Sequence, residues 1–249
     1  MLANERKKQI LMRLSVSGQV LAAELVREFG VSEDTVRRDL KELADGGQLK
    51  KVHGGAVALT TVPYDYSARQ ALNIEAKSAI ANRVTSLIRS GMVIFIDGST
   101  TSAQLAHHLP ATLKATFITH SIATAMEFSR QPNLRVIMMG GEIVPELLIA
   151  TGPELVSQSQ RFKPDLSIVS AHGVTIDEGA TVESWEDACI KSMFIRNSAE
   201  TVVLAGQEKI GFSASYSIAE IKDFAYLISD AAASQLTPFV DAGLTVWTV

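Results

Sequence analysis

Cysteine is almost absent from this chain of 249 residues, which contains only Cys189. One cysteine excludes an intramolecular disulfide and a zinc site built from several thiolates, and it suits a reducing cytoplasm.

Long apolar runs are missing too. No uncharged stretch approaches the ~20 residues of a membrane span, and the segment after Met1 is charged where a signal peptide would be apolar. We therefore expect a soluble cytoplasmic protein without a membrane partner.

The chain also lacks an excess of basic residues, because 23 lysines and arginines stand against 27 aspartates and glutamates, for a net charge of -4. This balance argues against a protein that coats nucleic acid with a generally basic surface. The charge is uneven, however. Residues 1–59 hold ten Lys and Arg against eight Asp and Glu, which leaves thirteen against nineteen for the remainder. Any contact with DNA must therefore come from a local basic surface in the N-terminal part.

A short amphipathic helix is predicted just after Gly30. Val36, Leu40 and Leu43 fall on one face at 100° per residue, and Ser32 precedes them in the N-cap position. The opposite face could enter a DNA major groove, where arginines reach guanine edges or phosphates. Taken alone, the stretch favours a surface helix with solvated charges. The candidate DNA contacts on it are Ser32, Asp34, Thr35, Arg37, Arg38 and Lys41.

The surrounding sequence favours the DNA-binding alternative. The spacing of apolar residues and the positions of glycines predict two earlier helices, 4–17 and 21–29. They also predict two later strands, 48–52 and 56–59. This order is that of a helix-turn-helix followed by a wing, and we place the domain at residues 1–59. Lys50 and Lys51 near the wing tip would hold phosphates. His53 either contacts DNA or only shapes the turn, since an imidazole can do both.

The remainder of the chain alternates apolar strands with helices. Residues 60–73 are polar, contain Pro63 and are predicted to be a linker. Beyond them, the alternation predicts an α/β domain with a largely parallel sheet over residues 74–249. The predicted strands are 92–96, 116–118, 135–139, 166–169, 201–204, 226–228 and 244–247.

Ligands of such sheets bind beyond the carboxyl ends of the strands. After the first strand, Asp97, Gly98, Ser99, Thr100 and Thr101 lead into a helix, where amides and hydroxyls could hold a phosphate. A routine N-capped turn is the alternative, and the missing Walker lysine argues against nucleotide hydrolysis. Glycines, hydroxyls and a lysine at other strand ends favour the phosphate interpretation. These further ligand candidates are Thr119, His120, Ser121, Gly141, His172, Gly173 and Lys209.

Acidic residues are clustered around 183–187. Paired carboxylates can act as acid and base in sugar isomerisation, but acids at a helix start more often complement the helix dipole. We assign that second role to Glu186 and Asp187, while Glu183 and Lys191 could reach the ligand pocket. The histidines lack the spacing of metal ligands, so neither a metal nor a cofactor is expected.

Two parts of the chain resemble the DeoR-type bacterial transcription regulators. The N-terminal match consists of Val31-Ser32, Arg37-Arg38-Asp39-Leu40, Leu43, Gly47, Leu49 and His53-Gly54-Gly55-Ala56. The C-terminal match consists of residues 97–101, Thr119-His120-Ser121, Gly140-Gly141, Gly152, Lys191 and Lys209-Ile210-Gly211. The resemblance implies a sensor domain similar in fold to ribose phosphate isomerases, which recognises a phosphorylated sugar and holds its phosphate in the 98–101 loop.

Two residues depart from the family pattern. His120 stands where the family commonly has asparagine, and Gly206 stands where it commonly has aspartate. The missing carboxylate removes an acceptor for sugar hydroxyls, so the effector could differ or its effect could be weakened.

The sequence as a whole predicts a transcription regulator and not an enzyme. The expected partners are operator DNA, a phosphorylated sugar and other copies of the chain in a homodimer or homotetramer, since pseudo-palindromic operators require at least a dimer. We expect a repressor of sugar or carbohydrate metabolism genes. The alternative is an enzyme similar to sugar-phosphate isomerases with a DNA-binding appendage.

Overall fold

The computed structural model describes residues 2–17, 19–46, 48–52, 54–57 and 62–249. His53 and residues 58–61, for which we predict parts of the wing and the linker, lie outside these ranges. The N-terminal part contains helices α1 (Ala3–Ser17), α2 (Ala22–Phe29) and α3 (Glu33–Asp45). Strands β1 (Gln19–Leu21), β2 (Lys50–Val52) and β3 (Gly55–Val57) form an antiparallel sheet in the order β1-β3-β2. The predicted winged helix-turn-helix is confirmed.

Helix α3 has the cap and the buried face that the sequence predicts. The Ser32 hydroxyl accepts a hydrogen bond from the Thr35 amide at 3.3 Å. Val36, Leu40 and Leu43 are buried in a small core. This packing fixes which side of α3 faces water.

The C-terminal part is an α/β domain. Its helices are α4 (Tyr66–Gln70), α5 (Ile74–Val84), α6 (Thr100–Gln104), α7 (Ile122–Ser129), α8 (Pro153–Ser159), α9 (Trp185–Asn197) and α10 (Ala233–Asp241). Its strands are β4 (Val93–Ile96), β5 (Thr116–Thr119), β6 (Arg135–Met138), β7 (Glu142–Val144), β8 (Ile149–Thr151), β9 (Leu166–Ser170), β10 (Gly173–Thr175), β11 (Gly179–Val182), β12 (Glu200–Leu204), β13 (Tyr216–Ala219), β14 (Tyr226–Ser229) and β15 (Thr245–Thr248).

Seven strands form one parallel sheet in the order β15-β14-β12-β9-β4-β5-β6. They correspond to the seven predicted strands, and the predicted fold class is confirmed. The sheet is buried on both faces because alternate side chains enter different cores. Within β4, Ile94 and Ile96 pack on one side and Phe95 on the other. The connections change direction between β4 and β9, and such a switch point is where open parallel sheets bind ligands.

Three features of the domain differ from the sequence prediction. Residues 66–70 of the predicted linker form helix α4, whose Tyr66 is buried. Strands β7 and β8 form a hairpin, and β10, β11 and β13 form a small antiparallel sheet. These strands are only three or four residues long, which is too short for an alternating pattern to stand out. No helix within the described ranges is both long and apolar enough to cross a membrane.

Candidate functional site

The N-terminal domain presents a polar surface on α3 and on the wing. Arg38, Lys41, Lys50 and Lys51 are exposed, and none of them forms an ion pair with a described residue. Unpaired exposed cations are free to contact phosphates or base edges. The other candidate DNA contacts on α3, apart from the half-buried Thr35, are exposed as well: Ser32, Asp34 and Arg37.

Two charged residues of this domain are already engaged within it. Arg37 Nη2 lies 2.7 Å from Glu33 Oε1, one helical turn away. Asp39 is buried and receives the Arg6 guanidinium, with Arg6 Nη2 3.2 Å from Asp39 Oδ1. Asp39 therefore anchors α3 to α1, so the outward face of α3 does not include every charged residue of its sequence.

The loop after β4 lies under the β7–β8 hairpin. A Cβ at Gly98 would lie 2.5 Å from Ile149 Cγ2 and 3.1 Å from Ser121 Cβ, so the hairpin packs where a side chain would be. Ser99 caps α6 by accepting the Ser102 amide at 2.9 Å. Because α6 has only five residues, its dipole is small. Most of the charge in this region must come from side chains.

A buried salt-bridge network lies beside the loop. Lys191 Nζ is 3.0 Å from Asp97 Oδ2 and 2.9 Å from Asp187 Oδ2, and it donates to the Ser170 carbonyl at 2.9 Å. These three acceptors use all three protons of the ammonium group. Burial by itself would raise the pKa of both carboxyl groups, but Lys191 and hydrogen bonds hold the pKa of each below its usual value. The network is therefore ionised, with one ammonium group shared between two carboxylates.

Asp97 binds two backbone amides and a hydroxyl beside this network. Its carboxylate accepts the Ser170 amide at 2.7 Å, the Ser99 amide at 3.1 Å and the Ser102 hydroxyl at 2.5 Å. The side chain is completely buried. Asp97 thus joins the ends of β4 and β9 and positions the loop without reaching the pocket surface.

Two further cations at the pocket have no carboxylate partner. Arg69 and Lys209 are each 8% exposed, and neither forms an ion pair in the part of the chain that the structure describes. The Arg69 Nε atom is buried without a hydrogen-bond partner there. Lys209 Nζ donates to the Ser170 hydroxyl at 3.0 Å, which leaves two of its protons available. These donors point to an anionic ligand.

His172 lies between these cations as a neutral acceptor. Arg69 Nη1 is 2.8 Å from His172 Nε2, and a guanidinium can only donate. The imidazole must therefore accept at Nε2 and carry its proton on Nδ1. Burial, with Lys209 and Arg69, lowers the pKa of His172 to about 2. The imidazole holds the Arg69 guanidinium in place without adding a charge.

The structure brings six of the fourteen predicted ligand residues to the walls of this pocket: Gly98, Ser99, Thr100, His172, Lys191 and Lys209. His120 is completely buried behind them, with Nε2 3.2 Å from Asp187 Oδ1. Thr101, Thr119 and Ser121 are buried nearby in the loops after β4 and β5. We refer to the cavity that these walls enclose as the anion pocket.

Three other predicted ligand residues lie away from the anion pocket. A Cβ at Gly141 would lie 2.0 Å from the Thr151 carbonyl oxygen, and one at Gly173 would lie 2.1 Å from that of Phe212. Both glycines allow close backbone packing, so no ligand is needed to explain them. Glu183 follows β11, and its carboxylate accepts from the Ser215 hydroxyl at 3.3 Å. Its side chain does not line the pocket.

Sequence reasoning missed Arg69 and the buried ion pair of Asp187. Arg69 belongs to the predicted linker, and only the tertiary structure brings α4 against the loop after β4. Asp187 lies in the first turn of α9, where the sequence favours a role at the helix dipole, but it is buried and paired with Lys191. The spacing of Asp187 and Lys191, four residues apart on one helix face, was the available signal. Among the described residues, no group of three or more His, Cys, Asp and Glu could hold a metal ion.

Both halves of the chain match known protein domains. The DeoR-like helix-turn-helix domain matches residues 6–62, and the DeoR C terminal sensor domain matches residues 72–231. The HTH-type transcriptional regulator GolR of Listeria innocua is 32% identical over 246 residues, which cover 97% of each chain. The glycerol-3-phosphate regulon repressor of Escherichia coli is 28% identical over 91% of this chain and 90% of that protein. These full-length regulators do not favour the isomerase alternative.

Among solved structures, ribose 5-phosphate isomerase A from Methanocaldococcus jannaschii is similar with a TM-score of 0.40 and 17% identity. The similarity covers 55% of this chain and 54% of the isomerase.

Proposed function

Since this chain belongs to the DeoR family of HTH-type transcriptional regulators, we propose that it represses genes of sugar metabolism and that a phosphorylated sugar controls it from the anion pocket. The winged helix binds operator DNA, with Arg38 among the residues that read bases and with Lys50 and Lys51 on phosphates. The names of the relatives support the class of effector, because one of them is a glycerol-3-phosphate regulon repressor.

The observation that carries this proposal is the pair of buried cations without carboxylate partners. Three cations, Arg69, Lys191 and Lys209, surround the pocket, whereas Asp97 and Asp187 are both engaged by Lys191. A buried charge that lacks a partner is costly, so the free protein retains Arg69 and Lys209 at a cost that a bound anion offsets. A phosphate supplies two negative charges and several acceptor oxygens for these donors.

The same network argues for sensing without catalysis. A general base for isomerisation needs a pKa near the working pH, but Lys191 and hydrogen bonds hold the pKa of Asp97 and of Asp187 below the usual carboxyl value. His172 is equally unsuited, because its pKa is lowered to about 2. Asp97, Asp187 and His172 are therefore unsuited to act as the base for a bound sugar phosphate.

Regulation then requires more than one copy of the chain. Winged helices bind pseudo-palindromic half-sites in pairs, which calls for a homodimer or homotetramer. The effector favours one arrangement of the paired sensor domains and so changes the spacing of their winged helices.

Calorimetry with matched ligands tests the anion pocket. Hydrogen bonds to a charged group are worth roughly 1.5–3 kcal/mol, so Thr100→Val and Lys209→Ala should each weaken binding of a phosphorylated sugar about tenfold or more. DNA affinity without effector should be unchanged, because the winged helix lies at the other end of the chain. The dephosphorylated sugar should bind wild type poorly and respond little to either substitution. Equal binding of the two sugars would contradict the proposal.

A further inference from the structure

A second cavity of about 190 Å³ adjoins the anion pocket and shares Arg69, Thr100 and Lys209 with it. The anion pocket itself encloses only about 30 Å³, enough for about two water molecules. A phosphorylated sugar held by Arg69 and Lys209 must therefore place its carbon chain elsewhere. The shared residues make the second cavity the direct continuation, and we refer to it as the side chamber.

The side chamber contains the carboxylate of Glu208, which a hydrogen bond holds in position. Glu208 and Lys77 line the chamber. Glu208 Oε2 accepts from Asn73 Nδ2 at 3.3 Å, and Lys77 Nζ donates to the Arg69 carbonyl at 2.5 Å. An anionic acceptor, an amide and a mostly buried ammonium thus face one small space. Hydroxyl groups, which both donate and accept, suit such a lining.

The Glu208 carboxylate lies directly against Gly206. Gly206 has φ -63° and ψ 159°, a conformation that any residue adopts. A Cβ added there would lie 2.5 Å from Glu208 Oε2, 2.7 Å from Oε1 and 2.9 Å from Cδ. The carboxylate of Glu208 therefore occupies the space in which the side chain of an aspartate at 206 would lie. A carboxylate is therefore present beside position 206, although residue 206 itself is glycine.

Asn73 is directed toward this carboxylate and away from its own helix. It stands at the N-cap of α5, where asparagine usually caps an amide with its side chain, but no such bond is present. Its backbone is left-handed, with φ 50°, which asparagine tolerates better than most residues. The side-chain amide instead holds Glu208 over Gly206.

We propose that Glu208, held by Asn73 and accommodated by Gly206, is the residue that selects a polyhydroxylated carbon chain, by accepting hydrogen bonds from hydroxyls of the phosphorylated effector in the side chamber. This inference rests on the proposed phosphate site and adds the residue that recognises the carbon chain attached to the phosphate. A carboxylate that accepts from a ligand hydroxyl favours that ligand over one without the hydroxyl, because the second ligand leaves this hydrogen bond unmade.

The test compares polyol phosphates of three to six carbons with alkyl phosphates of the same length, by calorimetry on the full chain at pH 7. Wild type should bind at least one polyol phosphate about tenfold or more tightly than its alkyl match. Glu208→Gln should reduce that ratio about tenfold, because only the polyol phosphate loses a hydrogen bond to the carboxylate. Glu200→Gln, an exposed substitution at the opposite end of β12, serves as the matched control and should keep the wild-type ratio.

Two further variants separate the position of the carboxylate from its charge. Gly206→Ala keeps Glu208 but forces its carboxylate to move, so it should lower the ratio as Glu208→Gln does. The double variant Gly206→Asp/Glu208→Ala returns a carboxylate to the same space and should restore much of the discrimination. Circular dichroism of each variant should match wild type, because Gly206 has an ordinary backbone conformation.

Each outcome bears on one level of the proposal. If alkyl phosphates bind but no polyol phosphate is preferred, or if Glu208→Gln keeps the preference, the role of Glu208 is overturned while the phosphate site stands. A preference for an amine such as phosphoethanolamine, lost in Glu208→Gln, would assign the carboxylate to an ammonium group and overturn the hydroxyl assignment. If no phosphate compound binds wild type, the phosphate site and the role of Glu208 both fail.

Discussion

The cations that we propose for DNA binding are exposed to solvent, whereas those around the anion pocket are buried. Arg38, Lys41, Lys50 and Lys51 are exposed on α3 and the wing, and Arg69, Lys191 and Lys209 are each at most 8% exposed. An exposed cation costs little to keep and acts through many weak, salt-screened contacts. A buried one is costly without a partner. The exposed cations of the winged helix therefore need no partner within the protein, whereas a buried cation of the α/β domain is stabilised by a carboxylate, another polar group or a ligand.

The largest expected effect comes from breaking the buried ion pair between Asp97 and Lys191. Asp97→Ala removes one partner of Lys191 and leaves the amides of Ser99 and Ser170 without their acceptor. Removing one partner of a buried ion pair costs about 3–5 kcal/mol. Calorimetric melting should show this loss in the unfolding of the α/β domain. Asp241→Ala, at the exposed end of α10, should change stability by less than about 0.5 kcal/mol.

The next effect concerns an exposed cation. Arg38→Ala should cost about 1–3 kcal/mol of specific operator binding without unfolding the domain, since its side chain lies opposite Val36, Leu40 and Leu43. Arg38→Lys should keep the non-specific affinity but lose most of the base preference, because lysine lacks the planar fork of arginine. Gel-shift titrations at fixed salt, with operator and random DNA, measure both. Unchanged operator affinity in the alanine variant would remove Arg38 from the recognition surface.

A smaller effect follows from the titration of Lys209. Burial, aided by Arg69 and Lys191 and opposed by Glu208, lowers its pKa to about 8. A bound phosphate favours the charged form, so binding above pH 8 must be accompanied by proton uptake. Affinity for a phosphorylated sugar should then fall as the pH rises from 8 to 9.5, by at most about tenfold per pH unit. Lys209→Arg stays charged throughout this range, and its calorimetric affinity should be nearly flat. A flat wild-type profile would show that Lys209 does not contact the anion.

The smallest effect is expected at the wing. Lys50→Ala should weaken operator and random DNA alike and reduce the slope of log affinity against log salt by about one. Lys163→Ala, an exposed lysine of the α/β domain, should leave the slope unchanged. A relaxed base preference with an unaltered slope would mean that the wing contacts bases instead of phosphates.

Local patterns in the sequence determined most of the architecture. The three helices of the winged helix and the seven strands of the parallel sheet follow from apolar periodicity, because each repeats over enough residues to be distinct. The sequence also identified the loop after β4 as a candidate ligand site, since ligands of parallel sheets bind beyond strand ends. It did not predict the short strands β7, β8, β10, β11 and β13, because their pairing depends on partners elsewhere in the chain.

The composition of the candidate site was decided by tertiary structure. Arg69 enters the anion pocket only because α4 packs against the α/β domain. Asp187 becomes part of a buried network because its partner Lys191 also pairs with Asp97 and because His120 lies within hydrogen-bond distance. Residues 97 and 170 are joined across 73 positions of the chain. Whether a charge is solvated, paired or left free for a ligand depends on what surrounds it in space. For that reason the sequence by itself determined which residues carry charge, and only the folded chain decided which of those charges still lack a partner.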